Sequence, residues 1–120
     1  MAKADRSQSK TWNPQFLGRL LGAARHTRGT FSGVQKSDFW TAWILVAFQT
    51  GARPGEMFEI KTEDIEPDGG LKGHSLSEDA KVAVLKLVGT RKLLFGRLAP
   101  KRELLRDFSA MQKKAKSRQT

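Results

Sequence analysis

The stretch Thr50-Gly51-Ala52-Arg53-Pro54-Gly55-Glu56 decides how this chain folds, because it separates two segments of helical character. The apolar run from Phe39 to Phe48 precedes it, and an amphipathic segment that starts at Met57 follows it. Gly51 stands where a left-handed residue commonly ends a helix, and Pro54 stands where a first helical residue is expected. The pattern therefore predicts a helix, a sharp turn and a second helix.

Arg53 is the unusual residue of this turn. The following proline favours extended backbone angles at Arg53, which makes it the predicted N-cap of the second helix. Arginine is a poor N-cap, and its charge faces the positive end of the helix dipole. An anion such as a phosphate would explain the placement. A structural arginine paired with Glu56 or Glu59 is the alternative interpretation.

The composition restricts the classes of function. A chain of 120 residues is long enough to build one domain around one core. It has no cysteine, and its only histidines are His26 and His74, so we expect no disulfides, no metal site and no cofactor. The longest apolar run, Ala42 to Phe48, is far shorter than the ~20 residues of a membrane span. We therefore expect a cytoplasmic protein without membrane contact.

The net charge of +10 is distributed unevenly along the chain. Residues 1–36 carry seven basic and one acidic side chain, residues 37–80 three basic and nine acidic, and residues 81–120 twelve basic and two acidic. Two basic segments that flank an acidic centre favour a polyanionic partner such as nucleic acid. A solvated surface with a lysine-rich tail is the alternative.

Hydrophobic periodicity predicts a mainly α fold of about five helices with a small short-stranded β element. We expect residues 1–11 to be a disordered basic lead-in, residues 12–116 to form the domain and residues 117–120 to be a basic tail. The predicted helices start, in chain order, at Asn13-Pro14, Ser37 (as N-cap), Pro54, Ser77 and Ala99-Pro100. Residues 28–36 are predicted as a loop, 71–76 as a short strand and 93–95 as a buried extended run.

Apolar faces are predicted on the last two helices. The expected face of the fourth helix comprises Val82, Val84, Leu85 and Val88, with Gly89 as its stop. The expected stripe of the fifth comprises Leu104, Leu105, Phe108, Met111 and Ala115. Tryptophans 12, 40 and 43 are assigned to the core.

The turn also resembles the first active-site motif of the tyrosine recombinases, the phage-integrase family. Residues 50–56, followed by Ile60-Lys61 and Glu63-Asp64-Ile65, are similar to that family's Thr-Gly-x-Arg-x-x-Glu turn and its Leu-Arg-Trp-x-Asp-Ile-like ending. The match is specific over about sixteen residues and looser from Trp40 to Phe95. The resemblance implies part of a recombinase catalytic-domain fold and a role in DNA integration and site-specific recombination.

The resemblance also implies roles for individual residues. In that family a tyrosine attacks the scissile phosphate without a metal, two arginines hold the phosphate oxygens, and lysine and histidine groups move protons. Arg53 matches the first arginine, Glu56 the acidic residue that supports it, and Lys72 is the one candidate for the lysine of the family's β-hairpin. The planar guanidinium suits this role, because it binds phosphate bidentately and stays charged. The 120 residues contain no tyrosine and no His-x-x-Arg motif, so the active site is incomplete as given.

The expected partner is double-stranded DNA, and the resemblance adds further recombinase protomers on that DNA and a nucleoid-associated location. The candidate phosphate contacts are Arg28, Lys101, Arg102, Arg106, Lys113 and Lys114. Two alternatives stay open. One is a degenerate, non-catalytic DNA-binding module, and the other is an unrelated helical domain whose acidic centre binds a basic protein.

Overall fold

The computed structural model describes residues 14–31, 33–89, 91–96 and 100–117, which form a mainly α fold with a small β element. The helices of this part are α1 (Pro14–Arg25), α2 (Lys36–Thr50), α3 (Pro54–Phe58), α4 (Glu78–Leu87) and α5 (Lys101–Ser117). Strands β1 (Thr30–Phe31) and β2 (Val34–Gln35) pair antiparallel, and a 3₁₀ turn spans Thr62–Asp64. This confirms the predicted fold class. The predicted lead-in, Trp12 and residues 118–120 lie outside the described residues.

α2 is the central helix, because its side chains are apolar almost all round. The buried members are Phe39, Trp40, Ala42, Trp43, Ile44, Leu45, Val46 and Ala47. α1 and α4 pack against α2, and α5 packs against α1. A helix with apolar residues on every side is stable only when it is surrounded, which explains the central position of α2.

Four surrounding segments each place one aromatic ring against the rings of α2. The centroid separations are 5.2 Å for Phe31 and Phe39, 5.0 Å for Phe58 and Trp43, 5.3 Å for Phe95 and Trp43, and 5.5 Å for Phe108 and Trp40. Aromatic pairs at such distances stabilise a protein by about 0.5–1.5 kcal/mol beyond their buried area. The cluster therefore fixes β1, α3, the segment before α5, and α5 itself around one helix.

The start of α2 differs from the prediction. Residues 28–36 contain the β1–β2 hairpin and are not a plain loop. α2 begins at Lys36, and its N-cap is Gln35 with no side-chain cap bond, so the assignment of Ser37 as N-cap was wrong. The Lys36 N–H donates to the Gly29 carbonyl at 2.9 Å. Because the hairpin satisfies this first amide, the helix starts without help from a serine hydroxyl.

The buried face of α4 also differs from the prediction. Of the four expected residues only Val84 is buried, whereas Val82, Leu85 and Val88 are 54%, 45% and 39% exposed. The residues that face the core are Ala80, Ala83, Val84 and Leu87. Small alanines let α4 approach the aromatic-rich α2 closely, and this leaves larger apolar side chains on the outer side. The predicted Ser77 N-cap is confirmed, since its hydroxyl accepts the Ala80 N–H at 3.2 Å.

α5 follows its prediction in most positions. Leu104, Met111 and Ala115 are buried, and Phe108 is partly buried against the core. Leu105, the remaining member of the predicted stripe, is 39% exposed. The predicted buried run over residues 93–95 is confirmed for Leu94 and Phe95, which are 1% and 0% exposed, whereas Leu93 is only partly buried.

Candidate functional site

The turn between α2 and α3 is fixed by its own short-range hydrogen bonds. Gly51 ends α2 at φ 75° and ψ 12°, and its N–H donates to the Ala47 carbonyl at 2.9 Å. The Thr50 hydroxyl donates to the Val46 carbonyl at 2.8 Å and accepts the Ala52 N–H at 3.2 Å. Only glycine adopts such a left-handed angle without strain. The Thr-Gly pair therefore closes α2 and directs the chain into the next residues.

Arg53 is the N-cap residue of α3, as predicted, and its backbone is extended at φ −84° and ψ 161°. Its N–H donates to Glu56 Oε1 at 2.8 Å, and its carbonyl accepts the Met57 N–H at 2.9 Å. Glu56 thus holds the backbone of Arg53. The Arg53 side chain is exposed. Its guanidinium forms neither a hydrogen bond nor an ion pair with any residue that the structure describes. The structure therefore contains no ion pair between Arg53 and Glu56 or Glu59, which was the alternative interpretation.

Buried side chains attach α3 to the core directly after the exposed arginine. Met57 is 0% exposed and Phe58 is 7% exposed, and the Phe58 ring lies against Trp43. Only the Arg53 side chain would have to be ordered when it binds an anion, because its backbone is already fixed. Such preorganisation favours binding.

Lys72 lies beside a single β bridge and not on a hairpin. Ile65 and Leu71 form that antiparallel bridge, and the Lys72 N–H donates to the Asp64 carbonyl at 3.0 Å. The Lys72 side chain is exposed. The structure brings this lysine next to the end of the motif, but it forms no ion pair with a described residue.

The predicted strand over residues 71–76 is limited to Leu71. Gly73 has a φ of 82°, and the His74 N–H turns back to the Leu71 carbonyl at 3.0 Å. A left-handed glycine two residues after the bridge reverses the chain, so the strand ends as soon as it has begun.

Three basic residues of α5 lie on the side opposite its buried residues. Arg102, Arg106 and Lys113 are exposed and spaced i, i+4 and i+11, which places them on one helical face. Asp107 of the same helix is paired with Lys36 at 3.3 Å. We call Arg102, Arg106 and Lys113 the α5 basic face. Of the other predicted DNA contacts, Arg28 and Lys114 are exposed, and the Lys101 side chain lies outside the described residues.

A groove that the sequence did not predict lies between residues 61–63 and residues 91–96, with a volume of about 1040 Å³. Its described lining residues include the cations Lys61, Arg91 and Lys92 and one carboxylate, Glu63. Lys61 precedes Arg91 and Lys92 by about thirty positions in the sequence. The antiparallel β bridge between Lys61 and Leu93 brings these cations to the same groove. The one sequence signal was the Arg91-Lys92 pair directly before a predicted buried run, but its pairing partner was not deducible from periodicity.

The described part of the chain contains no group of three or more His, Cys, Asp or Glu side chains that could hold a metal ion. No helix in that part is long and apolar enough to cross a membrane.

No protein-family model matches the chain, and neither a curated protein nor a solved structure matches it. The resemblance of residues 50–65 to the tyrosine recombinases therefore stays a prediction from the sequence.

Proposed function

We propose that this chain binds double-stranded DNA as part of a tyrosine-recombinase-like catalytic domain, with Arg53 contacting the phosphate at the cleavage point. The supporting observation is an exposed guanidinium without a partner among the described residues, on a backbone fixed by Thr50, Gly51 and Glu56. An arginine that stabilised the fold would be expected to pair with one of the adjacent carboxylates.

The chemistry that Arg53 supplies in this proposal is charge stabilisation. A guanidinium donates two parallel hydrogen bonds to phosphate oxygens and keeps its charge as negative charge develops. Glu56 acts as a positioning residue, because it holds the Arg53 N–H and not the guanidinium. These 120 residues contain no tyrosine, so the nucleophile of the family is not among them. The contribution of this chain is to bind and orient the phosphate.

The α5 basic face supplies the remaining contacts in this proposal. Three exposed cations on one face match the charge of a phosphate backbone, and such contacts position a protein without reading base sequence. Binding should then weaken steeply with salt, because each phosphate contact contributes about 0.9 to the slope of log affinity against log salt.

The α5 contribution is tested by fluorescence anisotropy on a labelled duplex between about 50 and 200 mM salt. We expect the triple variant Arg102→Gln, Arg106→Gln, Lys113→Gln to bind more weakly, with a slope lower by about 2.7. Lys86→Gln is the matched control for the single variant Arg106→Gln, because it removes one exposed cation from α4 instead of α5. Equal affinities for the wild type and the triple variant would contradict the proposal.

Arg53→Ala separates a recombinase-like site from a degenerate DNA-binding module. Loss of a charge-assisted hydrogen bond costs about 1.5–3 kcal/mol, so we expect duplex binding to weaken by about 10- to 150-fold. Arg53→Lys should recover part of the loss, because it retains the charge but not the planar fork. If Arg53→Ala binds like the wild type, the degenerate module is the better description.

A second candidate function is protein binding, and one observation favours it. Val82, Leu85 and Val88 are exposed at spacings of three residues on the outer side of α4. Exposed apolar side chains on one face are typical of contact surfaces between proteins. Absence of duplex binding even at about 50 mM salt, where electrostatic attraction is strongest, would leave this candidate in place of the first.

A further inference from the structure

The groove between residues 61–63 and 91–96 is a second cationic surface, built from residues outside α5. The backbone forms it through a short antiparallel pairing. The Thr62 N–H donates to the Lys92 carbonyl at 2.8 Å, and the Leu94 N–H donates to the Ile60 carbonyl at 3.0 Å. These two bonds flank the Lys61–Leu93 bridge and hold the two segments side by side.

Gly96 allows a close approach between two segments of this arrangement. A Cβ at residue 96 would lie 3.0 Å from the Phe58 carbonyl oxygen and 2.8 Å from the Leu93 side chain. Without a side chain, the segment passes close to the last residue of α3. The groove is consequently attached to the same short helix that Arg53 begins.

The cations of the groove differ in how firmly they are held. Arg91 NH2 donates to the Leu87 carbonyl at 2.7 Å and to the Leu94 carbonyl at 3.3 Å, so its guanidinium is fixed against the end of α4. Lys61 and Lys92 are exposed and form no ion pair with a described residue. The groove thus combines one fixed positive charge with two ammonium groups that are available to a ligand.

A second groove of the molecule shows that this charge excess is specific. The groove of about 410 Å³ between α2 and α4 is lined by Arg25 and Lys86, and also by Asp38 and Asp79. Among its described lining residues two cations are balanced by two carboxylates. The described residues that line the larger groove include three cations and one carboxylate, so this part of its lining has a net positive charge.

We propose that the groove of Lys61, Arg91 and Lys92 binds the sugar–phosphate backbone of the same nucleic acid that Arg53 contacts. This inference rests on the proposed function and extends it to a second region. α3 has five residues and is therefore about 7.5 Å long, so one strand can reach both Arg53 at its start and Lys61 beyond its end.

The lining residues also indicate the kind of contact. None of the described lining residues is aromatic, so this part of the groove offers phosphate contacts and no ring on which unpaired bases would stack. Lysines bind phosphate as point charges and do not select bases. Binding in the groove should be independent of sequence and should not favour single-stranded over double-stranded nucleic acid.

The test is the double variant Lys61→Gln, Lys92→Gln, measured by anisotropy on a duplex and on a single strand of equal length. Two exposed charge contacts correspond to about five- to thirtyfold weaker binding at about 50 mM salt, with a slope lower by about 1.8. Arg25→Gln with Lys86→Gln removes the same charge from the balanced groove and should change the affinity less than about twofold. Melting curves of both variants check that the fold is retained, and Lys61→Glu, Lys92→Glu should enlarge the loss.

The outcomes separate this inference from the proposed function. If the α5 triple variant weakens binding and the groove variant behaves like its control, the groove proposal is overturned and DNA binding stands. If the groove variant binds nucleic acid more weakly and Arg53→Ala binds like the wild type, the groove proposal is supported and the proposed role of Arg53 is contradicted. If the wild-type chain binds neither nucleic acid, both proposals fail.

Discussion

Two turns of this molecule each contain a left-handed glycine, but they use their charged residue in opposite ways. The turn after α2 contains Gly51 at φ 75°, and the turn before α4 contains Gly69 at φ 96°. In the second turn Asp68 Oδ1 accepts the Gly70 N–H at 2.9 Å, and Oδ2 pairs with Lys81 Nζ at 3.1 Å. In the first, the charge of Arg53 remains unpaired among the described residues.

The difference separates a charge that is used within the fold from a charge that is left unpaired among the described residues. Asp68 holds its own turn to α4, so removing it changes the fold locally. The Arg53 backbone is held by Glu56, while its guanidinium forms no ion pair within the described fold. The Gly69 turn is therefore expected to respond to substitution in stability, and the Arg53 turn to respond in binding.

Gly69→Ala should have the largest effect. A Cβ at this position would meet the Lys81 carbonyl group, whose carbon lies 2.8 Å away, in addition to the strain of a positive φ. The strain and the clash together correspond to about 2–5 kcal/mol of lost stability in urea unfolding. Gly73→Ala is the control, because Gly73 has a φ of 82° and a Cβ added there would meet nothing within 4 Å, so only about 1–2 kcal/mol is expected. Equal losses in the two variants would show that the close approach to α4 is unimportant.

Gly51→Ala should rank second, because it introduces strain at the end of α2. We expect a loss of about 1–2 kcal/mol in the free energy of unfolding. Duplex affinity should also fall, since the conformation of residue 51 directs the chain toward Arg53. A variant that loses stability but retains full affinity would show that this glycine does not position the arginine.

The sequence was most informative where one residue type has one structural use. Gly51, Pro54 and Ser77 act at the ends of helices through backbone geometry or a local hydrogen bond, and all three stand where the sequence predicts. These effects extend over three or four residues, so the identities of neighbouring residues are sufficient to recognise them.

The sequence was least informative where the structure depends on contacts between residues far apart in the chain or on the sizes of the side chains that pack together. α4 presents Ala80 and Ala83 inward and Val82 and Leu85 outward, because α2 already fills the core with large rings and leaves room for small partners. Hydrophobic periodicity considers only the hydrophobicity of the residues in one helix. It contains no information on the size of the side chains that the helix packs against. The groove was missed for a related reason, since its two sides meet only after α4 has returned the chain to Lys61.

Glu56→Ala tests the hold on the Arg53 backbone. Loss of the bond from the Arg53 N–H to Oε1 should cost about 1 kcal/mol, the usual effect of removing a capping interaction. Glu56→Gln retains an oxygen acceptor and should lose much less in the same thermal or urea unfolding experiment. If both variants unfold like the wild type, the hydrogen bond does not stabilise α3 in solution.

Asp68→Asn should have a smaller effect that depends on pH. The Gly70 N–H and then Lys81 hold the pKa of Asp68 below its ordinary value of 3.8. Its stabilisation is therefore present above pH 3.8 and is lost as the pH falls through the lowered pKa. Asp68 in turn raises the pKa of Lys81 above 10.5, so that contribution is present below pH 10.5 and is lost as the pH rises through the raised pKa.

The variant should consequently melt slightly below the wild type between these limits. The difference should vanish in strong acid and should narrow at alkaline pH, where Lys81 loses its charge but the Gly70 N–H still meets the carboxylate. Calorimetric melting temperatures across the pH range measure the difference. A gap between the two proteins that stays constant down to strong acid would mean that the charge of Asp68 is not the cause.

Arg53→Ala should have the smallest effect on stability and a large effect on binding. Its side chain is exposed and forms no ion pair with a described residue, so the free energy of unfolding should change by less than about 0.5 kcal/mol. The same variant should weaken duplex binding, whereas Asp68→Asn should change stability and leave binding intact. Opposite responses of the two turns would exclude general unfolding as their cause, because general unfolding would lower stability and binding together. If Arg53→Ala destabilises the protein as much as Gly51→Ala does, Arg53 is a structural residue and its exposure is incidental.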